Sequence, residues 1–166
     1  MRRWHVLDNL MPSEGVMVEL GIWKGATMKY LVPRHPKVQY YGVDLYEDQP
    51  DNPSETYIGY PHKEYLNSIL DLCIKYDHAH MLVGRTVDAA LSFQDEGIDL
   101  IFIDADHSYD GVMADIRAWM PKMKPGSIMA GHDYGDSNHP GVKKAVDEVF
   151  GPHARFHDET VWSVQL

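Results

Sequence analysis

The sequence predicts an α/β fold: a mostly parallel, seven-stranded sheet with helices on both faces and one antiparallel strand at the C-terminus. Two observations predict the parallel part. Apolar runs of strand length alternate with segments of helical periodicity, the order expected when helices connect parallel strands. The segment DLIFIDAD is almost continuously apolar before its carboxylates, as a central strand buried on both faces requires. A chain of 166 residues with 44% hydrophobic residues is expected to form one domain over residues 1–166.

The alternating elements follow one another in a regular order along the chain. They are VMVELG, ATMKYLV, VQYYGVDLY, YLNSILDLCIKY, HAHMLVG, VDAALSF, IDLIFIDAD, GVMADIRAWMPKM, SIMAGHDY and GVKKAVDEVF. The last segment, RFHDETVWSVQL, has no room for a helix and predicts a hairpin that ends in an antiparallel strand over residues 161–165. Residues 46–62 contain three prolines and are too long for an ordinary connection, so they are predicted to form a substrate or lid loop.

Composition and charge argue against several classes of partner. The formal net charge is −10 and the 15 Lys and Arg residues form no stripe, which argues against a nucleic-acid partner. No apolar run reaches the roughly 18 residues of a membrane span, and no signal or transit peptide is recognisable. The single cysteine, Cys73, cannot form an internal disulfide, which fits a reducing compartment. We therefore expect a cytoplasmic protein, without a membrane partner, that binds a small or cationic ligand.

The stretch VELGIWKGATMKYL joins a short apolar strand to a helix through Gly21 and Gly25. A glycine-rich turn that opens a helix is typical of nucleotide-binding α/β proteins. In the dinucleotide fingerprint, the middle glycine lets a pyrophosphate lie against the chain. Trp23 stands at that position here and fills the space. The turn is therefore predicted to hold a ligand without phosphates.

Polar side chains stand at the ends of the first five predicted strands. They are Glu19, Asp44, the run Gly84-Arg85-Thr86, the run Asp104-Ala105-Asp106-His107, and the pair His132-Asp133. Because the carboxyl ends of parallel strands meet at one edge of a sheet, these side chains are expected to lie together. The spacing from Gly21 to Asp44 is that at which an acidic residue meets ribose hydroxyls. Alone, Glu19 also fits a helix cap and Asp44 a turn, but together the strand ends favour a nucleoside site.

Four stretches of the sequence carry a resemblance to a known family. They are VELGIWKGATMKYL, YGVDLYE, DLIFIDADHSYDGVMADIRAWMPKMKPGSIMAGHDY and PGVKKAVDEVF. Over residues 17–150 the sequence resembles the class I S-adenosylmethionine-dependent methyltransferases. Within that class it is similar to the small-molecule O-methyltransferase branch, which includes macrolide-sugar and catechol-type enzymes. The resemblance implies a Rossmann-like sheet, S-adenosylmethionine as cofactor, and a small-molecule acceptor with a hydroxyl group.

The resemblance also implies which residues bind the cofactor. Glu19, Gly21 and Gly25 would line its methionine end, and Asp44 would accept hydrogen bonds from the ribose hydroxyls. The full set is Glu19, Gly21, Trp23, Gly25, Thr27, Asp44, Leu45, Arg85, Thr86 and Asp104, in which Thr27 would support the methionine end and Leu45, Arg85 and Thr86 would border the adenine. S-adenosylmethionine is a sulfonium cation without phosphates, so Trp23 is compatible with it and an acidic pocket attracts it.

A second set of residues corresponds to the divalent-cation site of the metal-dependent O-methyltransferases. These residues are Asp104, His132 and Asp133. In that family the cation binds the acceptor oxygen and lowers its pKa. His132 departs from the catechol-type pattern, which has aspartate and asparagine where this chain has His132 and Asp133. A mixed nitrogen and oxygen set suits Mn2+, Fe2+ or Zn2+ better than Mg2+.

His107 stands where catechol-type enzymes carry a basic lysine, which makes it a candidate general base, with Asp104 as the second catalytic candidate. It also fits a hydrogen-bonded histidine at a helix start. Two other function classes stay open: a metal-dependent hydrolase, which leaves Asp44 without a role, and a non-catalytic nucleoside-binding subunit, which would not need His107 or Asp133. The sequence does not identify the acceptor. A second subunit of a homo-oligomer is one way to complete the acceptor pocket.

Overall fold

The fold places the carboxyl ends of the central strands at one edge of a seven-stranded sheet. The computed structural model describes residues 2–48 and 59–166. The strands are β1 (Gly15–Leu20), β2 (Val38–Asp44), β3 (Ala79–Val83), β4 (Ile98–Ile103), β5 (Met123–Gly131), β6 (Arg155–Phe156) and β7 (Trp162–Gln165). Their order across the sheet is β3-β2-β1-β4-β5-β7-β6. The strand order changes direction between β1 and β4, and such a switch point forms a ligand crevice at the carboxyl ends of the strands.

The strand directions confirm the predicted fold class. Strands β1 to β5 pair in parallel, and β7 runs antiparallel to both β5 and β6. The last strand begins at Trp162, one residue later than predicted. In β4, the side chains of Leu100, Ile101 and Phe102 are fully buried, so the prediction of a central strand covered on both faces is also confirmed.

Helices cover the two faces of the sheet. They are α1 (Arg3–Leu10), α2 (Ala26–Leu31), α3 (His62–Lys75), α4 (Thr86–Ala89), α5 (Tyr109–Trp119) and α6 (Pro140–Phe150). On one face α1, α2 and α3 contribute Leu7, Met28 and Ile69 to a core of buried side chains. On the other face α5 and α6 contribute Trp119 and Val146 to a second core. The sequence predicted helices on both faces, but it did not predict α1.

Residues 49–58 make up most of the segment 46–62 that was predicted to be a substrate or lid loop. They lie outside the described residues, so that function stays a prediction. Helix α3 begins at His62, where the predicted loop ends. Among the helices in the described part of the chain, none has both the length and the apolar character needed to cross a membrane.

Candidate functional site

The turn between β1 and α2 is shaped by two glycines. Gly21 and Gly25 have positive φ angles of 86° and 71°, which glycine adopts without steric cost. A Cβ atom on Gly21 would lie 2.1 Å from the carbonyl oxygen of Asp104, and one on Gly25 would lie 2.1 Å from Cδ1 of Ile69. Both glycines are therefore needed to pack the turn against the end of β4 and against α3. Trp23, between them, remains 40% exposed.

Asp44, at the end of β2, fixes the conformation of the same turn. Its Oδ2 accepts hydrogen bonds from the backbone N–H groups of Ile22 at 2.7 Å and Trp23 at 2.8 Å. Its Oδ1 accepts one from the backbone N–H of Tyr46 at 2.7 Å. An ionised carboxylate has about four acceptor positions, so about one is left for a ligand hydroxyl. Asp44 thus has a structural role that does not exclude the predicted contact with ribose.

Glu19, the acidic residue near the end of β1, is almost fully buried. Its side chain is 1% exposed, and Oε2 accepts a hydrogen bond of 2.7 Å from the Tyr40 hydroxyl. Burial raises the pKa of Glu19 to about 8, although the Tyr40 hydrogen bond and the nearby Arg3 guanidinium lower it. The buried Thr27 hydroxyl lowers the same pKa by a smaller amount. An additional cation beside Glu19 would therefore favour its ionised form at neutral pH.

Arg3 reaches this acidic edge from the first turn of α1. Its Nη1 lies 3.2 Å from Oδ2 of Asp104, directly after β4. The guanidinium therefore lies between the acidic groups that end β1 and β4. Sequence analysis missed Arg3, because no pattern in the residues before β1 indicates where α1 packs.

A cluster of histidines and carboxylates lies beyond β4 and β5. His107 Nε2 lies 2.9 Å from Oδ2 of Asp133 and 3.5 Å from Oδ1 of Asp104. His132 Nδ1 lies 3.0 Å from Oδ1 of Asp133 and 3.5 Å from Oδ1 of Asp104. The structure thus brings together all four residues predicted here, and Asp133 lies between the two histidines.

The charges in this cluster favour a proton on His107. Burial lowers the pKa of His107, but its hydrogen bonds to Asp104 and Asp133 outweigh burial and raise the pKa to about 10. Burial raises the pKa of Asp133, but hydrogen bonds from His107 and His132 outweigh it and hold the pKa well below its usual range. At neutral pH His107 is therefore a cation beside an ionised Asp133. A divalent cation bound here would displace the proton on His107.

Two groups of side chains in the described residues can each offer three ligand atoms to a metal ion. The first is Asp104, His107 and Asp133, whose ligand atoms lie within 4.8 Å of one another. The second is Asp133, Asp136 and His139, with the same spacing. The first group differs from the predicted one by having His107 in place of His132. The ring centroid of His139 lies 4.4 Å from that of His107.

The three residues predicted to border the adenine follow β2 and β3, which lie on the opposite side of β1 from β4 and β5. Leu45 and Thr86 are half-buried, whereas Arg85 is exposed. The Thr86 hydroxyl donates a hydrogen bond of 2.5 Å to Asp115 of α5, so it already has a partner. These residues follow β2 and β3, next to Asp44, and away from the histidine cluster that follows β4 and β5.

Comparison with known proteins identifies the family of the chain and solved structures of similar fold. A family model described as a methyltransferase domain matches residues 18–134, from β1 to just beyond β5. The structure of CalS11, a TDP-rhamnose 3'-O-methyltransferase of calicheamicin biosynthesis, superposes with a TM-score of 0.72 at 19% identity, covering 99% of this chain and 80% of CalS11. An rRNA methylase from Streptococcus thermophilus superposes with a TM-score of 0.64 at 11% identity, covering 98% of this chain and 91% of the methylase.

Among curated proteins, the uncharacterized protein y4gI of Sinorhizobium fredii is similar in sequence. It is 29% identical over 80 residues, which is 48% of this chain. The chain spans only 9% of the length of that curated relative.

The sheet order, the glycine turn and the acidic strand ends define the class of S-adenosylmethionine-dependent methyltransferases. The chain belongs to the methyltransferase-domain family whose model matches residues 18–134.

Proposed function

We propose that this methyltransferase acts on a hydroxyl oxygen of a small molecule and that a divalent cation assists the transfer. The observation that carries the proposal is the convergence of Asp104, His107 and Asp133 directly after β4 and β5, beside the acidic end of β1. The fold similarity to CalS11, a sugar O-methyltransferase, supports a small-molecule hydroxyl as the acceptor.

The residues at the turn fit S-adenosylmethionine. The buried Glu19 is favoured in its ionised form when a cation lies beside it, and the cofactor carries two cationic groups, an ammonium and a sulfonium. Asp44 keeps an acceptor position for a ribose hydroxyl, and Leu45, Arg85 and Thr86 would border the adenine. In this arrangement the cofactor supplies an electrophilic methyl group.

The histidine and carboxylate cluster fits a divalent cation. Asp104, His107 and Asp133 would each contribute one ligand atom, and a cation supplies a lowered pKa to a hydroxyl group that binds to it. His132 positions Asp133, because its Nδ1 contacts Oδ1 while His107 contacts Oδ2. Two carboxylates and one imidazole suit Mn2+, Fe2+ or Zn2+ better than Mg2+.

The alternative is transfer without a metal, with His107 as the general base. His107 lies at the same place and its contacts with Asp104 and Asp133 fix the orientation of its ring. Those contacts also keep a proton on His107 at neutral pH, since its pKa is raised to about 10. A protonated imidazole cannot accept the proton of the acceptor hydroxyl. The raised pKa of His107 therefore disfavours the metal-free route at neutral pH.

Methyl transfer is expected to depend on a divalent cation. The test incubates the protein with methyl-labelled S-adenosylmethionine and a panel of sugars, nucleotide sugars and phenols, with and without EDTA. We expect a labelled methyl ether from at least one acceptor, loss of at least about 90% of the activity in EDTA, and recovery with Mn2+ or Zn2+. Equal transfer in EDTA and in added Mn2+ would contradict the metal's role, whereas label found only on nitrogen or carbon would contradict O-methylation.

A further inference from the structure

Arg3 lies beside the acidic side chains at the ends of β1 and β4, and it takes no part in the proposed methyl transfer. It belongs to α1, which is anchored to the sheet by Val6 and Leu7, with exposures of 6% and 0%. The anchored helix places the Arg3 side chain at the carboxyl ends of β1 and β4, where 24% of it is exposed. Its position is therefore set by the packing of α1.

The charges around Arg3 are complementary to the amino-acid end of S-adenosylmethionine. The group of charged side chains at the ends of β1 and β4 contains one guanidinium, from Arg3, and two acidic side chains, Glu19 and Asp104. The amino-acid end of the cofactor, including its sulfur, has two cations, the ammonium and the sulfonium, and one carboxylate. Each charged group of the ligand thus lies next to a side chain of opposite charge when the carboxylate contacts Arg3 and the two cations lie near the acidic side chains.

The hydrogen-bonding groups of Arg3 are only partly used. Nη1 contacts Oδ2 of Asp104 at 3.2 Å. Nε is buried and has no hydrogen-bond partner among the residues that the structure describes. A buried N–H without a partner is costly, and a guanidinium presents its N–H groups as a fork that matches a carboxylate. The pocket therefore has a donor that remains to be satisfied.

The two carboxylate oxygens of Asp104 have different neighbours, so Arg3 and the histidine cluster lie on different sides of this residue. Oδ2 contacts Arg3, whereas Oδ1 lies 3.5 Å from both His107 and His132. A ligand bound to Arg3 is thus held on the α1 side of Asp104, with the cluster on the other side. This is the arrangement required if the methionine end is to be fixed while the sulfur faces the acceptor.

We infer that Arg3 binds the carboxylate of the cofactor's amino-acid end and so makes the site selective for the intact amino acid. The inference rests on S-adenosylmethionine being the cofactor. Arg3 acts here as a binding residue, because it contacts the cofactor at a distance from the methyl group.

The experiment compares two ligands that differ only in this carboxylate. Calorimetry measures binding of S-adenosylmethionine and of decarboxylated S-adenosylmethionine to the wild type, Arg3→Gln, Arg3→Lys and the neighbouring control Arg2→Ala. We expect the wild type and Arg2→Ala to prefer the carboxylated ligand by about tenfold to a hundredfold, the value of a charge-assisted pair. Arg3→Gln should lose this preference while binding the decarboxylated ligand within about twofold of wild type, and Arg3→Lys should keep part of it.

The possible outcomes separate this inference from the proposed function. Absence of binding of either ligand to the wild type would overturn both. Binding of both ligands with equal affinity to the wild type, or an unchanged preference in Arg3→Gln, would overturn the inference alone. Tighter binding of both ligands to Arg3→Gln would also overturn it, because Arg3 would then compete with the cofactor for the acidic groups. If Arg3→Gln fails to fold, the wild-type preference and the reduced preference of Arg3→Lys decide the question.

Discussion

Replacement of Asp133 by alanine is expected to abolish divalent-cation binding and to lower methyl transfer by at least about a hundredfold, while S-adenosylmethionine still binds. Asp133 belongs to both candidate ligand groups and contacts His107 at 2.9 Å and His132 at 3.0 Å. The change removes the carboxylate that lies between His107 and His132, and it leaves Asp104 as the remaining carboxylate of the first ligand group. The residues proposed to bind the cofactor lie in α1, in β1 and the turn after it, in α2, and at the ends of β2, β3 and β4, and the change replaces none of them.

The measurement for Asp133 is a titration of Mn2+, Zn2+ and Mg2+ into wild type and variant with cofactor present, followed by heat release. Asp133 has a positive φ of 58°, which asparagine tolerates better than alanine. Asp133→Asn therefore separates the loss of charge from backbone strain and should also bind metal weakly. Asp136→Ala tells the two ligand groups apart, because it should bind metal as the wild type does if the first group holds the ion and should lose metal binding if the second group does. A wild type that binds none of the three ions contradicts the metal site and leaves His107 as the remaining candidate base.

Replacement of Asp44 by alanine is expected to weaken cofactor binding by about tenfold to a hundredfold, or roughly 1.5 to 3 kcal/mol. Two losses combine in this change. The ribose loses a charged acceptor, and the backbone N–H groups of Ile22, Trp23 and Tyr46 lose the acceptor that shapes the turn.

A ligand comparison separates the two losses at Asp44. Calorimetry measures S-adenosylhomocysteine and its 2'-deoxyribose analogue on wild type and Asp44→Ala, with circular dichroism to verify folding. If Asp44 contacts the ribose, removal of the hydroxyl weakens binding to the wild type but not to the variant. Unchanged affinity for S-adenosylhomocysteine in a folded variant would show that Asp44 serves only the turn.

The fold and the positions of the strand ends are predictable from local sequence. Apolar alternation identifies the strands, and the geometry of a parallel sheet brings their carboxyl ends together. For this reason the sequence alone places Glu19, Asp44, Asp104 and Asp133 at the carboxyl edge of the sheet. The structure adds that Asp44 is also a turn residue, which the spacing from Gly21 could not distinguish from a ribose contact.

The parts of the site that depend on helix packing were not predictable in the same way. Arg3 reaches the pocket only because α1 packs where it does, and nothing in its neighbours indicates that position. His139 lies beside His107 because the start of α6 approaches the start of α5 closely. A Cβ atom on Gly141 would lie 2.4 Å from the backbone nitrogen of Tyr109. The sequence signal for this approach is the Pro140-Gly141 pair that opens α6.

The most direct test of the account is calorimetric titration of S-adenosylhomocysteine and of NAD into the wild-type protein, with melting temperatures recorded in parallel. We predict one S-adenosylhomocysteine per chain and a raised melting temperature, since binding to the native state at a hundredfold excess over Kd stabilises by about 2.7 kcal/mol. We predict no heat and no shift with NAD, because Trp23 stands at the position where the dinucleotide fingerprint has its middle glycine. Absence of both heat and a melting shift with millimolar S-adenosylhomocysteine, or a stronger response to NAD, would contradict it.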